Sequence, residues 1–170
     1  MTESAEPLSK EFVIKRVFDA PRELVWRAFT QAEHLKHWWG PKGFKMLTCT
    51  MDLRPGGVFH YGLLAPNGVE MWGKWTFREI VAPEYFTTVF GFSDKDGGLS
   101  RHPFAPEWPA EMLGSHTFEA QGNKTLLTTR AAAFNATEDE RKVFEAGFGS
   151  MEQGFGGTWD QLAAYLPTIK

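Results

Sequence analysis

The amino-acid sequence predicts an α+β fold, in which an antiparallel sheet lies against a small set of helices. Three observations support this fold class. Apolar residues recur at helical spacing in two short segments near the N terminus, six strand-like segments joined by turns follow, and a helical segment ends the chain. The order is β-α-α-β6-α. Because consecutive strands joined by short turns pair antiparallel, the six strands are expected to form one sheet, with the helices gathered on one face.

The first strand and the two N-terminal helices are predicted within residues 11–38. The segment "EFVIKRVF" (11–18) is rich in Val, Ile and Phe, which favours a strand. Apolar residues at helical spacing after Pro21 predict the first helix. The spacing Thr30-x-x-Glu33 is typical of a capping box, so a second short helix is expected to follow the first directly.

The middle of the chain changes to a period of two. Leu47, Cys49, Met51 and Leu53 alternate with polar residues, which predicts a strand with these four side chains on one face. The pair Asn67-Gly68 and the "QGN" sequence at 121–123 indicate hairpin turns. The six predicted strands cover residues 47–53, 58–64, 69–81, 85–92, 111–120 and 124–133.

Residues 93–110 contain three prolines and no periodicity. A connection of this length is uncommon inside a compact domain, and long irregular loops often carry function. The sequence leaves two alternatives open for it, a lid over a binding site or a contact between subunits.

Composition limits the classes of function. Residues 1–10 are polar and are expected to form a flexible tail before a single domain, 11–170. The net charge is −3 and no basic patch is present, which argues against nucleic acid as a partner. Cys49 is the only cysteine, so no internal disulfide is expected, which is compatible with a cytoplasmic location. No apolar run approaches 18 residues and no signal peptide is evident, so no membrane span is expected.

The terminal helix contains the most informative pattern. Thr137-x-x-Glu140 is a second capping box, which predicts one helix running to about Leu166. At about 100° per residue, small residues fall on one stripe, which is expected to let another backbone approach closely; Gly154→Leu should then be far more disruptive than Gly149→Ala. Another stripe is bulky, and core packing and cavity lining both remain open for it. The bulky residues are Phe144, Phe148, Met151, Phe155, Trp159, Leu162 and Leu166; the small ones are Ala146, Gly147, Ser150, Gly154, Gly157 and Ala164.

Few side chains suggest catalysis. His116 shares strand parity with Met112 and Phe118, so it is expected to point inward, either as a core residue or as a weak candidate acid or base. The orientation of His60 is ambiguous. His34 and His37 have a spacing that could suit two metal ligands, but no third ligand is evident, so no metal is predicted. No GxSxG or GxGxxG motif is present in a suitable context, so no cofactor is expected.

The "HWWGP" sequence (37–41) contains two adjacent tryptophans. Adjacent helical residues point about 100° apart, so only one of Trp38 and Trp39 is expected to be fully buried. A plug at one end of the sheet and a lining of a cavity mouth are the two alternatives.

Four segments in order resemble the SRPBCC superfamily, also called START or birch-pollen-allergen-like. The nearest branch is the one similar to the activator of heat-shock ATPase. The segments are 18–44, 52–59 ("DLRPGGVF"), 73–86 and 157–166 ("GTWDQLAAYL"). The resemblance implies a helix-grip fold, in which a curved antiparallel sheet surrounds the long C-terminal helix and a hydrophobic cavity lies between them.

The resemblance also implies what the protein binds. Members of the superfamily bind apolar small molecules, which makes a lipid-, polyketide- or aromatic-type ligand the first expectation. A cofactor-free cyclase or hydrolase acting in the cavity and a co-chaperone-like protein-binding module are the alternatives. With the bulky helical stripe and the strand parity, the predicted ligand-lining residues are Trp75, Phe90, His116, Phe118, Phe148, Met151, Phe155 and Trp159.

Overall fold

The computed structural model describes residues 10–102 and 105–169, so almost all of the predicted N-terminal tail lies outside the described residues. The predicted order of elements is confirmed up to the terminal helix, which forms as two helices. The strands are β1 (Phe12–Phe18), β2 (Lys45–Met51), β3 (Val58–Leu64), β4 (Glu70–Val81), β5 (Tyr85–Phe92), β6 (Glu111–Gln121) and β7 (Lys124–Phe134). The helices are α1 (Arg22–Thr30), α2 (Ala32–Trp38), α3 (Glu138–Ala146) and α4 (Phe148–Tyr165), followed by a short 3-10 turn, Leu166–Thr168.

The seven strands form one antiparallel sheet in the order β1-β7-β6-β5-β4-β3-β2. The sheet is curved and does not close, so β1 and β2 are its two edges. Helix α1 packs against β6 and β7, α2 against β2, and α4 against α2 and β1. The predicted α+β helix-grip architecture is therefore confirmed.

An aromatic cluster fixes the helices to the sheet. Phe29 of α1 is fully buried, and its ring centroid lies 4.8 Å from that of Trp38, 5.2 Å from that of Phe118 and 5.6 Å from that of Trp159. Trp38 is also buried and donates its indole N–H to the carbonyl oxygen of Ala28 at 3.0 Å. Trp38 is therefore a packed core residue whose buried donor is satisfied.

The first predicted capping box does not form. Helix α2 begins after Gln31, and the Thr30 hydroxyl donates instead to the carbonyl oxygen of Trp26, one turn earlier in α1, at 2.8 Å. A threonine in the last turn of a helix can form this bond to residue i−4, which removes its hydroxyl from the next helix. The second capping box is confirmed, since Thr137 and Glu140 exchange both of the expected hydrogen bonds.

The prediction of one continuous terminal helix is wrong. Gly147 separates α3 from α4, and the ring of Trp108 lies directly against it. A Cβ atom at Gly147 would be 2.6 Å from the Trp108 ring, which is closer than real side chains approach. The break therefore coincides with the place where the 93–110 loop packs on the helix pair.

The predicted close approach of a backbone to the small stripe of α4 is also wrong. A Cβ atom at Gly149, Gly154, Gly156 or Gly157 would meet nothing within 4 Å outside the backbone of its own helix and adjacent residues. The space beside these glycines is open, so Gly154→Leu is not expected to disrupt the docking of α4.

We expect the glycines of the terminal segment to respond in opposite directions to alanine. Gly156→Ala should raise the free energy of unfolding by up to about 1 kcal/mol, because alanine is the better helix former and its methyl group meets no neighbour. Gly147→Ala should lower it, because the methyl group would collide with Trp108. Urea denaturation of the two variants measures both shifts, and equal shifts would contradict this account.

The expected alternation in β2 holds only in part. The pairing with β3 passes from Met46–Leu63 to Thr48–Gly62, so Leu47 sits in a β-bulge without a partner. Leu47 is the extra residue of the bulge, and its side chain is 44% exposed. Cys49 and Met51, which were expected on the same face, are half-buried. Leu53 lies beyond the strand and is also exposed.

Within the described residues, the helices are all too short or too polar to serve as membrane spans.

Candidate ligand-binding cleft

A cleft of about 230 Å³ lies between the sheet and α4. Strands β3 to β7 form one side, α4 forms the other, and the segment 39–41 after α2 also contributes to the lining. Most of the lining is aromatic or aliphatic, which makes the cleft suited to apolar ligands. The large apolar side chains that line it are Trp39, Tyr61, Leu63, Met71, Trp75, Phe90, Phe92, Met112, Met151 and Phe155.

The eight residues predicted to contact a ligand divide into two sets. Five of them line the cleft: Trp75, Phe90, His116, Met151 and Phe155. The other three, Phe118, Phe148 and Trp159, do not line it.

These three residues belong to packed clusters on either side of the cleft. Phe118 and Trp159 are buried in the main core, where both contact Phe29. Phe148 packs against Phe12, with ring centroids 5.6 Å apart, and against Phe144 at 5.4 Å. Strand parity and helical angle identify which face a side chain occupies, but its distance along the element decides whether it meets the core or the cleft.

The sequence left open which of the two adjacent tryptophans is buried; in the structure Trp39 lines the cleft and Trp38 lies in the core. Trp39 is half-buried, and its ring packs edge-on against Tyr61 at 5.7 Å and Trp75 at 5.1 Å. Burial raises the pKa of Tyr61 to about 12, and the adjacent Trp39 side chain acts in the opposite direction. The Tyr61 hydroxyl therefore stays protonated at neutral pH.

Two glycines let aromatic rings lie flat along the floor of the cleft. A Cβ atom at Gly73 would be 2.4 Å from the Tyr61 hydroxyl, and one at Gly114 would be 2.7 Å from the Phe90 ring. Both contacts are too close for any side chain larger than hydrogen. Because these rings lie over glycines, they stay close to the sheet, and the space above them remains available to a ligand.

His116 has the expected inward orientation and provides a polar point in the cleft wall. It is 8% exposed, and its Nδ1 lies 2.8 Å from the hydroxyl oxygen of Thr129. Burial lowers the pKa of His116 to about 3, so the imidazole is neutral near pH 7. The surrounding rings include those of Phe29 and Phe86, each with its centroid 5.1 Å away.

Thr129 was missing from the sequence prediction, because the predicted turn at 121–123 is one residue longer than the observed one and would place His116 opposite Thr128. Strands β6 and β7 are joined by the two-residue turn Gly122–Asn123, with Gln121 opposite Lys124. That turn length fixes the register of the whole hairpin and places His116 opposite Thr129. Other lining residues were also missing from the prediction, namely Gly40, Pro41, Met71, Thr88 and Thr158, since their grouping depends on how the elements pack around the curved sheet.

Gly154 lies at the rim of the cleft. This residue is exposed and also lines the cleft, and the position of its missing Cβ atom is free of contacts. One turn later, the Thr158 hydroxyl donates to the backbone carbonyl oxygens of Gly154 at 3.1 Å and Gly40 at 3.4 Å. The residues of α4 at the rim therefore have small side chains, and the Thr158 hydroxyl is already engaged with backbone carbonyl oxygens.

The described residues of the 93–110 loop do not line the cleft. Arg101 pairs with Glu140 of α3, and the Trp108 ring packs on Phe144 at 5.3 Å. At its other end, Lys74 of β4 donates to the carbonyl oxygen of Gly97 at 2.8 Å. In its described part, the loop is thus tied to α3 and β4 and does not extend over the cleft.

The remaining histidines of the sequence prediction lie outside the cleft. His60 stacks on Trp72, with ring centroids 5.4 Å apart, and contacts the carbonyl oxygen of Asp94. His34 is hydrogen-bonded to the Tyr165 hydroxyl at 2.7 Å, and His37 stacks on the same ring. Over residues 10–102 and 105–169, no three His, Cys, Asp or Glu side chains are grouped to hold a metal ion.

A curved, unclosed antiparallel sheet with a cleft beneath a long C-terminal helix defines the helix-grip class of α+β proteins. Residues 19–167 match the model of the family described as Activator of Hsp90 ATPase homolog 1-like protein. The chain belongs to this family, which confirms the resemblance to the corresponding SRPBCC branch.

Solved structures show the same fold. A protein from Rhodobacter sphaeroides is 18% identical, with a TM-score of 0.76 and 98% of each chain covered. A protein from Arthrobacter aurescens is 27% identical, with a TM-score of 0.74, covering 96% of this chain and 90% of the other. An AHSA1 protein from Silicibacter pomeroyi is 17% identical, with a TM-score of 0.69 and coverages of 94% and 99%. No curated protein matches the sequence.

Proposed function

We propose that this protein binds an apolar small molecule in the cleft between the sheet and α4. The observation that carries the proposal is the cleft itself, whose lining is mostly aromatic and aliphatic. The proposed location is the cytoplasm, which is compatible with a single cysteine and hence no internal disulfide.

The size of the cleft limits the ligand. An engineered apolar cavity of about 150 Å³ holds benzene. A cleft of about 230 Å³ therefore suits a molecule of one or two rings, and a sterol or a long lipid would extend well beyond it. Within the expected ligand types, the volume favours the small aromatic kind.

Binding without catalysis fits the polar groups better than an enzyme does. His116 and Thr129 meet in the cleft, so a polar pair is available. However, a general base works best when its pKa is near the operating pH, and burial lowers the pKa of His116 to about 3. The name of the family raises co-chaperone activity as an alternative, but the cleft is the feature that the described residues build most completely.

Naphthalene is a suitable probe for the cleft. We expect it to shift the amide resonances of lining residues such as Met112, His116 and Phe155 in two-dimensional NMR spectra. Gly154→Trp should weaken naphthalene binding at least tenfold, because the indole would occupy space at the rim of the cleft. Gly149→Trp is the matched control, since Gly149 is exposed on the same helix and does not line the cleft. Unchanged spectra would refute the proposed function, and equal affinities for the two variants would show that Gly154 does not border the bound ligand.

A further inference from the structure

We propose that His116 donates a hydrogen bond from Nε2–H into the cleft, so that the preferred ligand is an uncharged molecule of one or two rings bearing a carbonyl or ether oxygen. This inference rests on the proposed function, since it specifies the occupant of the same cleft. It goes further by naming the polar group that the ligand must carry and the protein atom that binds it.

The position of His116 leaves one ring nitrogen for a ligand. His116 on β6 is paired directly with Thr129 on β7, and both side chains are buried at the cleft wall. The Nδ1 atom is 2.8 Å from the Thr129 hydroxyl. Nε2 is therefore the ring nitrogen that remains to interact with an occupant of the cleft.

The hydrogen bond with Thr129 links the position of the imidazole proton to the direction of the Thr129 hydroxyl. A threonine hydroxyl has one proton to donate, and a neutral imidazole has one donor and one acceptor nitrogen. In the described part of the chain, Nδ1 of His116 is the hydrogen-bond partner recorded for the Thr129 hydroxyl. Either direction of this bond leaves one donor for an occupant of the cleft, the Thr129 O–H or the His116 Nε2–H, and the proposal assigns the hydroxyl as the donor to Nδ1. The imidazole proton is then on Nε2, which makes Nε2 a donor.

The other polar groups of the wall do not favour a charged ligand. Among the described lining residues, the charged one is Arg130, and its guanidinium is paired with Glu11 at 2.8 Å. The Thr158 hydroxyl donates to backbone carbonyl oxygens. The Thr88 hydroxyl lines the same wall and can rotate to donate or to accept, so it does not discriminate between ligands.

Burial strengthens the preference for an uncharged acceptor. Placing a carboxylate in an apolar site without a paired cation carries a large desolvation cost. An imidazole whose pKa is lowered to about 3 supplies no cation at neutral pH. A carbonyl or ether oxygen, by contrast, accepts a hydrogen bond from neutral imidazole and carries no charge into the cleft.

Three probes of similar size test the ligand class. Acetophenone carries a carbonyl oxygen, isopropylbenzene has a closely similar shape without an acceptor, and benzoate is charged. One hydrogen bond contributes about 0.5–1.5 kcal/mol, so His116→Phe should weaken acetophenone binding by roughly three- to tenfold. Isopropylbenzene should change by less than about twofold, because the phenylalanine ring preserves the apolar wall.

The outcomes separate this inference from the proposed function. If His116→Phe weakens both neutral probes equally, or if benzoate binds more tightly than acetophenone, the inference is wrong while binding in the cleft stands. If none of the probes binds, the proposed function is overturned, and the ligand class falls with it.

The tautomer can be measured without a ligand or a variant. Long-range ¹H–¹⁵N NMR spectra should show the His116 proton on Nε2 in the wild-type protein. In Thr129→Val the donor to Nδ1 is lost, so a mixture of tautomers is expected while the imidazole stays in place. A proton on Nδ1 in the wild-type protein would overturn the inference regardless of the binding results.

Discussion

Trp159→Ala is expected to lower the free energy of unfolding by about 3–5 kcal/mol, because it deletes a fully buried aromatic side chain. The Trp159 ring contacts Phe29, Trp38 and Phe18, with centroids 5.6, 6.1 and 6.4 Å away. These neighbours belong to α1, α2 and β1, so the variant loses contacts between α4 and three other elements.

Phe155→Ala provides the matched control. Phe155 lies one turn earlier on α4, is only partly buried and lines the cleft. Its removal enlarges a space that already exists, so it should cost clearly less than the loss of Trp159. Urea denaturation at neutral pH measures both variants. Equal losses would indicate that Trp159 occupies an environment like that of Phe155, as the helical pattern alone predicted.

His116→Phe is expected to flatten the loss of stability in acid. The unfolded chain binds a proton at His116 below the ordinary pKa of 6.5, whereas burial keeps the folded imidazole neutral down to about pH 3. Between pH 6.5 and about pH 3 the unfolded state therefore binds more protons than the folded state. The free energy of unfolding then decreases as the pH is lowered, by up to about 1.4 kcal/mol per pH unit. Above pH 6.5 the imidazole is neutral in both states, so this loss of stability is absent.

The acid effect is specific to His116 because its contacts are uncharged. Rings from α1, β4, β5 and α4 surround the imidazole, together with the Thr129 hydroxyl. Carboxyl groups elsewhere titrate in both proteins, so the difference between wild type and His116→Phe isolates the histidine. Urea denaturation at pH 7, 5 and 4 measures this difference. Parallel curves for the two proteins would show that His116 is not buried in its neutral form.

The sequence predicted several features that depend on neighbouring residues, although the local capping box at Thr30 did not form. The order of the strands, the capping box at Thr137 and the inward orientation of His116 all follow from patterns within a dozen residues. The break at Gly147 could not be predicted in this way, because it depends on Trp108, a residue of a different segment. The open space beside Gly154 likewise depends on how far the sheet curves away from α4.

The sequence predicted an apolar cleft, but it identified only some of the residues that line it. Parity placed Trp75, Phe90 and Phe118 on one face of the sheet, yet Phe118 is covered by Trp26 and Phe29 of α1. The packing of α1 against β6 is a contact between distant parts of the sequence, so the pattern within β6 alone does not predict it. The pairing of His116 with Thr129 depends on the length of one turn, which was predicted one residue too long from the sequence.

Glu140 joins two parts of the chain that are distant in sequence. Its carboxylate accepts the backbone N–H of Thr137 at the start of α3 and also pairs with Arg101. These two contacts are the largest causes that hold its pKa below the ordinary value. Because one carboxylate serves both, loss of its charge would release the helix start and the loop together. The region around residue 101 and the first turn of α3 thus form one cooperative opening unit, whose amides are expected to exchange with solvent at a common rate.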